Sequence, residues 1–197
     1  AIASVRHRLQ APVICLSYWN PLLQFGQRPS GQRTSSIHPD PAPFVRAAQA
    51  SGVAGMIVPD LPLEESATLR RSARRAGPAT ILLAAPTSPL ERLRAIARAS
   101  EGFIYYVSVT GTTGIRKHLP DGLVEGVRRL KRLTTTPVCV GFGISTPAQA
   151  AQVAAMDGAD GVIVGSALVH TLSNGKSRAA GIRQAERLIT RLRRAIS

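Results

Sequence analysis

The chain has 197 residues, of which 44% are apolar and 18% charged, a balance that supports a buried core and excludes a disordered tail or linker. No apolar run reaches the roughly 18–20 residues of a membrane span, and the opening Ala1, Ile2, Ala3, Ser4, with Arg6 and Arg8 after it, lacks a secretory apolar region. A soluble, cytoplasmic chain with no membrane partner is expected. The net charge of +14 rests on 22 Arg and 3 Lys, gathered in helical stretches such as Arg70, Arg71, Arg74 and Arg75, or Arg187, Arg191, Arg193 and Arg194. With only 4% aromatic residues, none interleaved with the basic runs, these read as solvated helix faces, and nucleic acid is not expected as a partner. Cys15 and Cys139 lie in apolar segments and read as reduced, buried thiols rather than a disulfide framework or a metal site.

In chain order, Ala1 to Gln10 reads as the end of a helix feeding a first strand, Pro12 to Tyr18. Residues 27–43, rich in Pro, Ser, Gly and Arg, have no apolar periodicity and read as an irregular loop. Short apolar runs then recur at Ala54 to Val58, Thr80 to Ala85, Phe103 to Ser108, Pro137 to Gly141 and Gly161 to Gly165, each followed by an amphipathic segment. A helix is expected from Glu64 and Glu65 to Arg74 and Arg75, stopped by Gly77. Ser88, Pro89 and Glu91, and again Thr146, Pro147 and Gln149, carry the residues of a capped helix start with a proline at its first position.

The expected strands after the loop start every 23 to 34 residues, the rhythm of repeated βα units and a parallel sheet covered by helices. A TIM (β/α)8-type barrel usually needs about 250 residues. Six units are countable here, so the reading is one α/β barrel domain over 1–197 that lacks the first two βα units.

Glycine-rich turns follow the last three strands: Gly111-Thr112-Thr113-Gly114, Gly141-Phe142-Gly143 and Gly165-Ser166. In a βα barrel the carboxyl ends of the strands form the active face, and its last two loops commonly hold a phosphate on backbone N–H groups. A small phosphorylated ligand is therefore expected.

The same residues carry a resemblance. Pro59-Asp60-Leu61-Pro62-Leu63-Glu64-Glu65, then Gly102-Phe103-Ile104-Tyr105-Tyr106-Val107-Ser108 running into Gly111-Thr112-Thr113-Gly114, then Gly141-Phe142-Gly143-Ile144-Ser145, then Gly161-Val162-Ile163-Val164-Gly165-Ser166-Ala167 resemble the tryptophan synthase alpha subunit in order and spacing. Tyr18-Trp19-Asn20-Pro21 agrees with that family's third strand. The resemblance implies a (β/α)8 barrel that cleaves indole-3-glycerol phosphate to indole and glyceraldehyde 3-phosphate, passing indole to a PLP-dependent beta subunit in an alpha2beta2 complex and needing no cofactor of its own. It further implies that Gly114, Gly143, Gly165 and Ser166 hold the phosphate, that Tyr105 and Phe142 line the indole pocket, that Thr113 sits on a closing loop, and that Asp60 belongs to the subunit interface. The family's catalytic glutamate and aspartate lie on and just after the second strand, which would precede Ala1. No catalytic residue is therefore assigned within the chain, and residues 1–197 alone are expected to be inactive. The alternative is a non-catalytic basic remnant that binds phosphates, RNA or a partner subunit.

Among the eleven acids, only Asp60 ends an expected strand, and a structural or interface role is favoured for it over catalysis. His7, His38, His118 and His170 show neither metal-helix nor triad spacing. Ser108 and Ser166 lie in no nucleophile elbow.

Overall fold

The computed structural model describes residues 2–25, 40–107, 122–141 and 143–197. These form two compact units, Ala1–Leu82 with Ala99–Gly102, and Leu83–Arg98 with Phe103–Ser197.

The first unit opens on the short helix α1 (Ile2–Val5) and a 3-10 turn (Arg6–Arg8), then strand β1 (Val13–Leu16) and helix α2 (Trp19–Gln24). Helix α3 (Ala42–Ala50) begins inside the stretch read as a loop; its start is secured by Asp40, whose carboxylate accepts from the Ala42 N–H at 2.9 Å. Strand β2 (Val53–Ile57) pairs in parallel with β1, Ile14 facing Gly55 and Leu16 facing Ile57. Helix α4 (Ala67–Ala76) starts two residues after Glu65, because the Pro62–Ser66 segment turns first: Glu65 N–H donates to Pro62 O at 3.1 Å and the Ser66 hydroxyl to Leu63 O at 2.7 Å. It ends at Gly77, whose φ of +110° is left-handed and suits a residue without Cβ. Strand β3 (Ala79–Ala84) pairs in parallel with β2. Leu22, Val45, Met56 and Leu69, each 1% exposed, fill the core beneath these elements.

In the second unit, helix α5 (Leu90–Ala99, its last residue excepted) precedes strand β4 (Ile104–Val107). Before α5 the Ser88 hydroxyl accepts from the Ala85 N–H at 3.1 Å, and Pro89 O accepts from the Leu93 N–H at 3.0 Å. Helix α6 (Leu123–Lys131), strand β5 (Val138–Gly141), helix α7 (Pro147–Ala154), strand β6 (Gly161–Val162) and helices α8 (Ser166–Ser173) and α9 (Arg178–Ile196) complete the unit. Strands β4, β5 and β6 are parallel neighbours in sequence order, with Ile104 facing Val138 and Val140 facing Val162. β6 is shorter than its apolar run; the Ile163 N–H still donates to Val140 O at 2.8 Å, and residues 164–165 lead on into α8.

Alternation sorts the strand residues. Ile104, Tyr106, Val138 and Val140 are at most 1% exposed, beside the buried Val127, Leu130 and Val153 of α6 and α7. Tyr105, Cys139 and Ile163 point the other way and are half-buried. In each unit successive parallel strands are joined through helices with no reversal of order, the winding of a barrel rather than of a doubly wound sheet.

One ion pair closes the amino ends of β5 and β6. The Asp160 carboxylate accepts from Lys131 Nζ at 2.6 Å and from the Val138 N–H at 2.7 Å. Burial alone would raise the Asp160 carboxyl, but the Lys131 hydrogen bond, the Val138 N–H and the Lys131 charge together hold it below the usual carboxylate range. A carboxyl depressed in the folded state stabilises above its unfolded pKa, about 4, and loses that contribution as pH falls through the folded value. Asp160→Ala is expected to cost about 1 kcal/mol at neutral pH, a modest figure because the side chain is 37% exposed. The gap between wild type and variant in urea melts should narrow below about pH 4; a gap constant from pH 7 to pH 2 contradicts this.

Candidate functional site

The second unit presents a β-strand end, a loop and a helix start on the side where β4, β5 and β6 finish. Tyr105 lies on β4 with its ring over Gly141, the last residue of β5: a Cβ built on Gly141 would stand 2.7 Å from Tyr105 Cε2, 2.9 Å from its hydroxyl oxygen and 2.8 Å from Ile163 Cβ. The glycine is thus required by the approach of two side chains. One strand pair further in, a Cβ on Gly161 would meet Cys139 Sγ at 2.9 Å. These small residues leave a shallow, largely apolar surface bounded by the Tyr105 ring, Ile163 and Cys139. Burial raises the Tyr105 hydroxyl and, with Asp160 adding, the Cys139 thiol, so both stay neutral at physiological pH.

Beyond β5, Gly143 has φ of +51° and is exposed. The chain from there is fixed by a capping box at α7. The Thr146 hydroxyl accepts from Gln149 N–H at 3.2 Å, and Gln149 Oε1 accepts from Ser145 N–H at 2.9 Å, from the Ser145 hydroxyl at 3.2 Å and from Thr146 N–H at 3.2 Å. Beyond β6, Gly165 is the residue before α8; its carbonyl accepts from Leu168 and Val169 N–H at 3.0 and 3.2 Å, and no side chain caps the start. The first N–H groups of a helix have no intrahelical partner, and its N-terminus favours an anion. Among the described residues other than its chain neighbours, Gly165 has no atom within 4 Å of the place its Cβ would occupy, and both it and Ser166 are exposed.

Of the residues singled out from the sequence, Tyr105 lies on β4, Gly143 follows β5, and Gly165 and Ser166 follow β6, all in the one unit. Gly114, Thr113 and Phe142 lie outside the described residues, as do Ser108, His38 and His118. Asp60 stands in the first unit, exposed, with both carboxylate oxygens accepting from the Trp19 N–H, at 2.9 and 3.1 Å. It caps the start of α2 and ties down the loop that carries Tyr18. Sequence reasoning passed over Ile163, whose place beside Tyr105 follows only from the pairing of β4, β5 and β6, and it read Gln149 as a helix cap without its second use in anchoring the preceding turn. His7 and His170 are both exposed and stand apart, His170 contacting the Asn174 amide. Among the described residues no three His, Cys, Asp or Glu side chains come together to hold a metal, and no helix is long and apolar enough to cross a membrane.

Sequential parallel βα units joined through helices define a TIM (β/α)8-type barrel, represented by six of the eight units. A sequence model of the family described as tryptophan synthase alpha chain matches residues 1–197, and the chain belongs to that family. It is 44% identical over 174 residues to the tryptophan synthase alpha chain of Rippkaea orientalis, covering 88% of this chain and 60% of that one. It is 41% identical over 179 residues to that of Arabidopsis thaliana, covering 91% and 60%. The chain thus spans about three-fifths of the length of these relatives. Among solved structures, a tryptophan synthase a2b2 complex from Pyrococcus furiosus superposes with a TM-score of 0.81 at 34% identity, over 97% of this chain and 70% of that one. The tryptophan synthase alpha chain from Legionella pneumophila gives 0.80 at 31%, over 99% and 66%.

Proposed function

We propose that residues 1–197 supply the substrate-holding part of a tryptophan synthase alpha chain, which cleaves indole-3-glycerol phosphate to indole and glyceraldehyde 3-phosphate in tryptophan biosynthesis. The observation that carries this is the uncapped, unobstructed start of α8 at Gly165 and Ser166, one βα unit beyond the Tyr105 surface. Gly143, Gly165 and Ser166, with Gly114, hold the phosphate through backbone N–H groups, as glycine-rich strand ends do in barrels. Tyr105 and Phe142 line the indole pocket, and Thr113 contacts the bound substrate. The reaction breaks the carbon–carbon bond between the indole ring and the glycerol chain: a base takes the proton of the neighbouring hydroxyl, the electron pair goes to the ring, and a proton is delivered to the ring carbon. The family's glutamate, which acts as general acid and base, and its aspartate, which holds the indole nitrogen, belong to family positions before Ala1. The partner is the PLP-dependent beta subunit, to which the loop tied down by Asp60 contributes part of the contact face, and the alpha chain needs no cofactor.

Gly165→Asp tests the phosphate assignment. The site has room for a side chain, and aspartate is a favoured N-cap, so thermal stability should hold or rise. The carboxylate would occupy the anion position, and calorimetric binding of glycerol 3-phosphate should fall at least tenfold. Unchanged affinity rejects the assignment.

A further inference from the structure

The long helix α9 carries a second, unrelated feature. Arg183, Arg187, Arg191 and Arg194 recur at intervals of four, four and three residues and are all exposed. At 100° per residue they fall within about 80° of one another, and they climb about 16 Å of the helix axis. The opposite side of α9 is the packed one, with Gly181, Ala185 and Leu192 buried.

The structure adds the absence of counter-charge. Basic side chains elsewhere pair with acids, Arg74 with Glu101, Arg128 with Asp157, Lys131 with Asp160 and Arg132 with Glu125. None of the four α9 arginines has an acidic group within 4 Å among the described residues. The helices packed against α9 cannot supply one: α7 (PAQAAQVA) and α8 (SALVHTLS) contain no Asp or Glu. Glu186 is the sole acid of α9 itself, lying to one side of the arginine row. Four like charges thus stand in a row with no fixed counter-charge among the described residues, and an extended anion laid along them would release the counterions they hold.

The kind of anion follows from what else shares that face. Its other residues, Ala180, Gln184 and Thr190, give no large apolar anchor of the sort a protein interface buries at its centre. No Phe, Tyr or Trp occurs in α7, α8 or α9 to stack unpaired bases. A regular row of phosphates needs neither. Against the expectation from composition that these arginines are only a solvated face, their alignment without counter-charge leads to a different reading: we propose that the exposed face of α9 binds the phosphate backbone of duplex nucleic acid without reading its sequence.

The test is fluorescence anisotropy of the full chain with a labelled 20-base-pair DNA duplex of mixed sequence, between 50 and 200 mM NaCl. Four phosphate contacts give a log–log salt slope near −3.6, about a 150-fold loss of affinity over that range. R183Q/R187Q/R191Q/R194Q should weaken binding at 50 mM salt at least tenfold and remove most of the slope. R8Q/R46Q/R71Q/R75Q, with the same net charge and exposed positions on other elements, should change it less than threefold. Equal losses in the two variants reduce the effect to net charge and overturn the proposal, as does tighter binding of a single strand of equal length, or equal binding of poly-glutamate. If the fourfold variant fails to fold, R187Q/R191Q should lower the slope by about 2, and an unchanged slope overturns the proposal just as plainly.

Discussion

Replacing Gly141 with alanine is expected to destabilise the chain by about 1–3 kcal/mol, the usual range for forcing a methyl group into a filled position. The new Cβ would stand 2.7–2.9 Å from two atoms of the Tyr105 ring and from Ile163 Cβ, all closer than carbon contacts allow. Ile163 follows directly on β6, and the Ile163 N–H donates to Val140 O at 2.8 Å, so it cannot retreat without breaking the ladder. Tyr105 is the softer neighbour and should swing out, taking the aromatic wall of the proposed indole pocket with it. The midpoint should fall by roughly 2–12 °C in a thermal melt. A double-mutant cycle with Tyr105→Ala separates the two clashes, because the cost of the methyl group should drop where the ring is missing and only Ile163 opposes it. An additive cycle would show that Tyr105 does not rest on Gly141.

The second large effect is on turnover. Residues 1–197 by themselves are expected to release indole from indole-3-glycerol phosphate at least a hundredfold more slowly than a full-length family member, since positioned acid–base groups contribute about 10²–10⁴. The described acids explain why no substitute is at hand. In the second unit Glu91 and Glu125 lie on helices, Asp157 and Asp160 precede β6, and Glu186 sits on α9, so none stands at a strand's carboxyl end. Arg128 and Lys131 already engage Asp157 and Asp160. Asp60 in the first unit is occupied by the Trp19 N–H through both oxygens. A coupled assay of glyceraldehyde 3-phosphate gives the rate; turnover within tenfold of a full-length relative would mean that one of these acids does the chemistry, and Asp60→Asn would be the first variant to examine.

The βα rhythm was legible because buried parallel strands leave continuous apolar runs, and all six runs contain a strand, with edges shifted by a residue or two and β6 cut to Gly161–Val162. Thr146 and Gln149 announced a capping box because both partners of the reciprocal bonds are local. Ser88 carried a similar local signal, and its hydroxyl oxygen accepts from the Ala85 N–H in the turn before α5. The site was harder. Gly165 and Ser166 could be read as an anion-binding start from glycine next to a helix, but Gly141 looked like part of a turn when its reason lies across the sheet, in a ring from β4 and a branched side chain after β6. Contacts of that kind depend on register, which a linear pattern does not contain.

Gln149 gives the turn after β5 a thermodynamic character of its own. One amide oxygen draws together Ser145 and Thr146 before any ligand arrives, and its backbone N–H is held in return. The segment following Gly143 therefore has little conformational entropy left to lose, so the part it plays in the proposed phosphate site would be preorganised rather than assembled on binding.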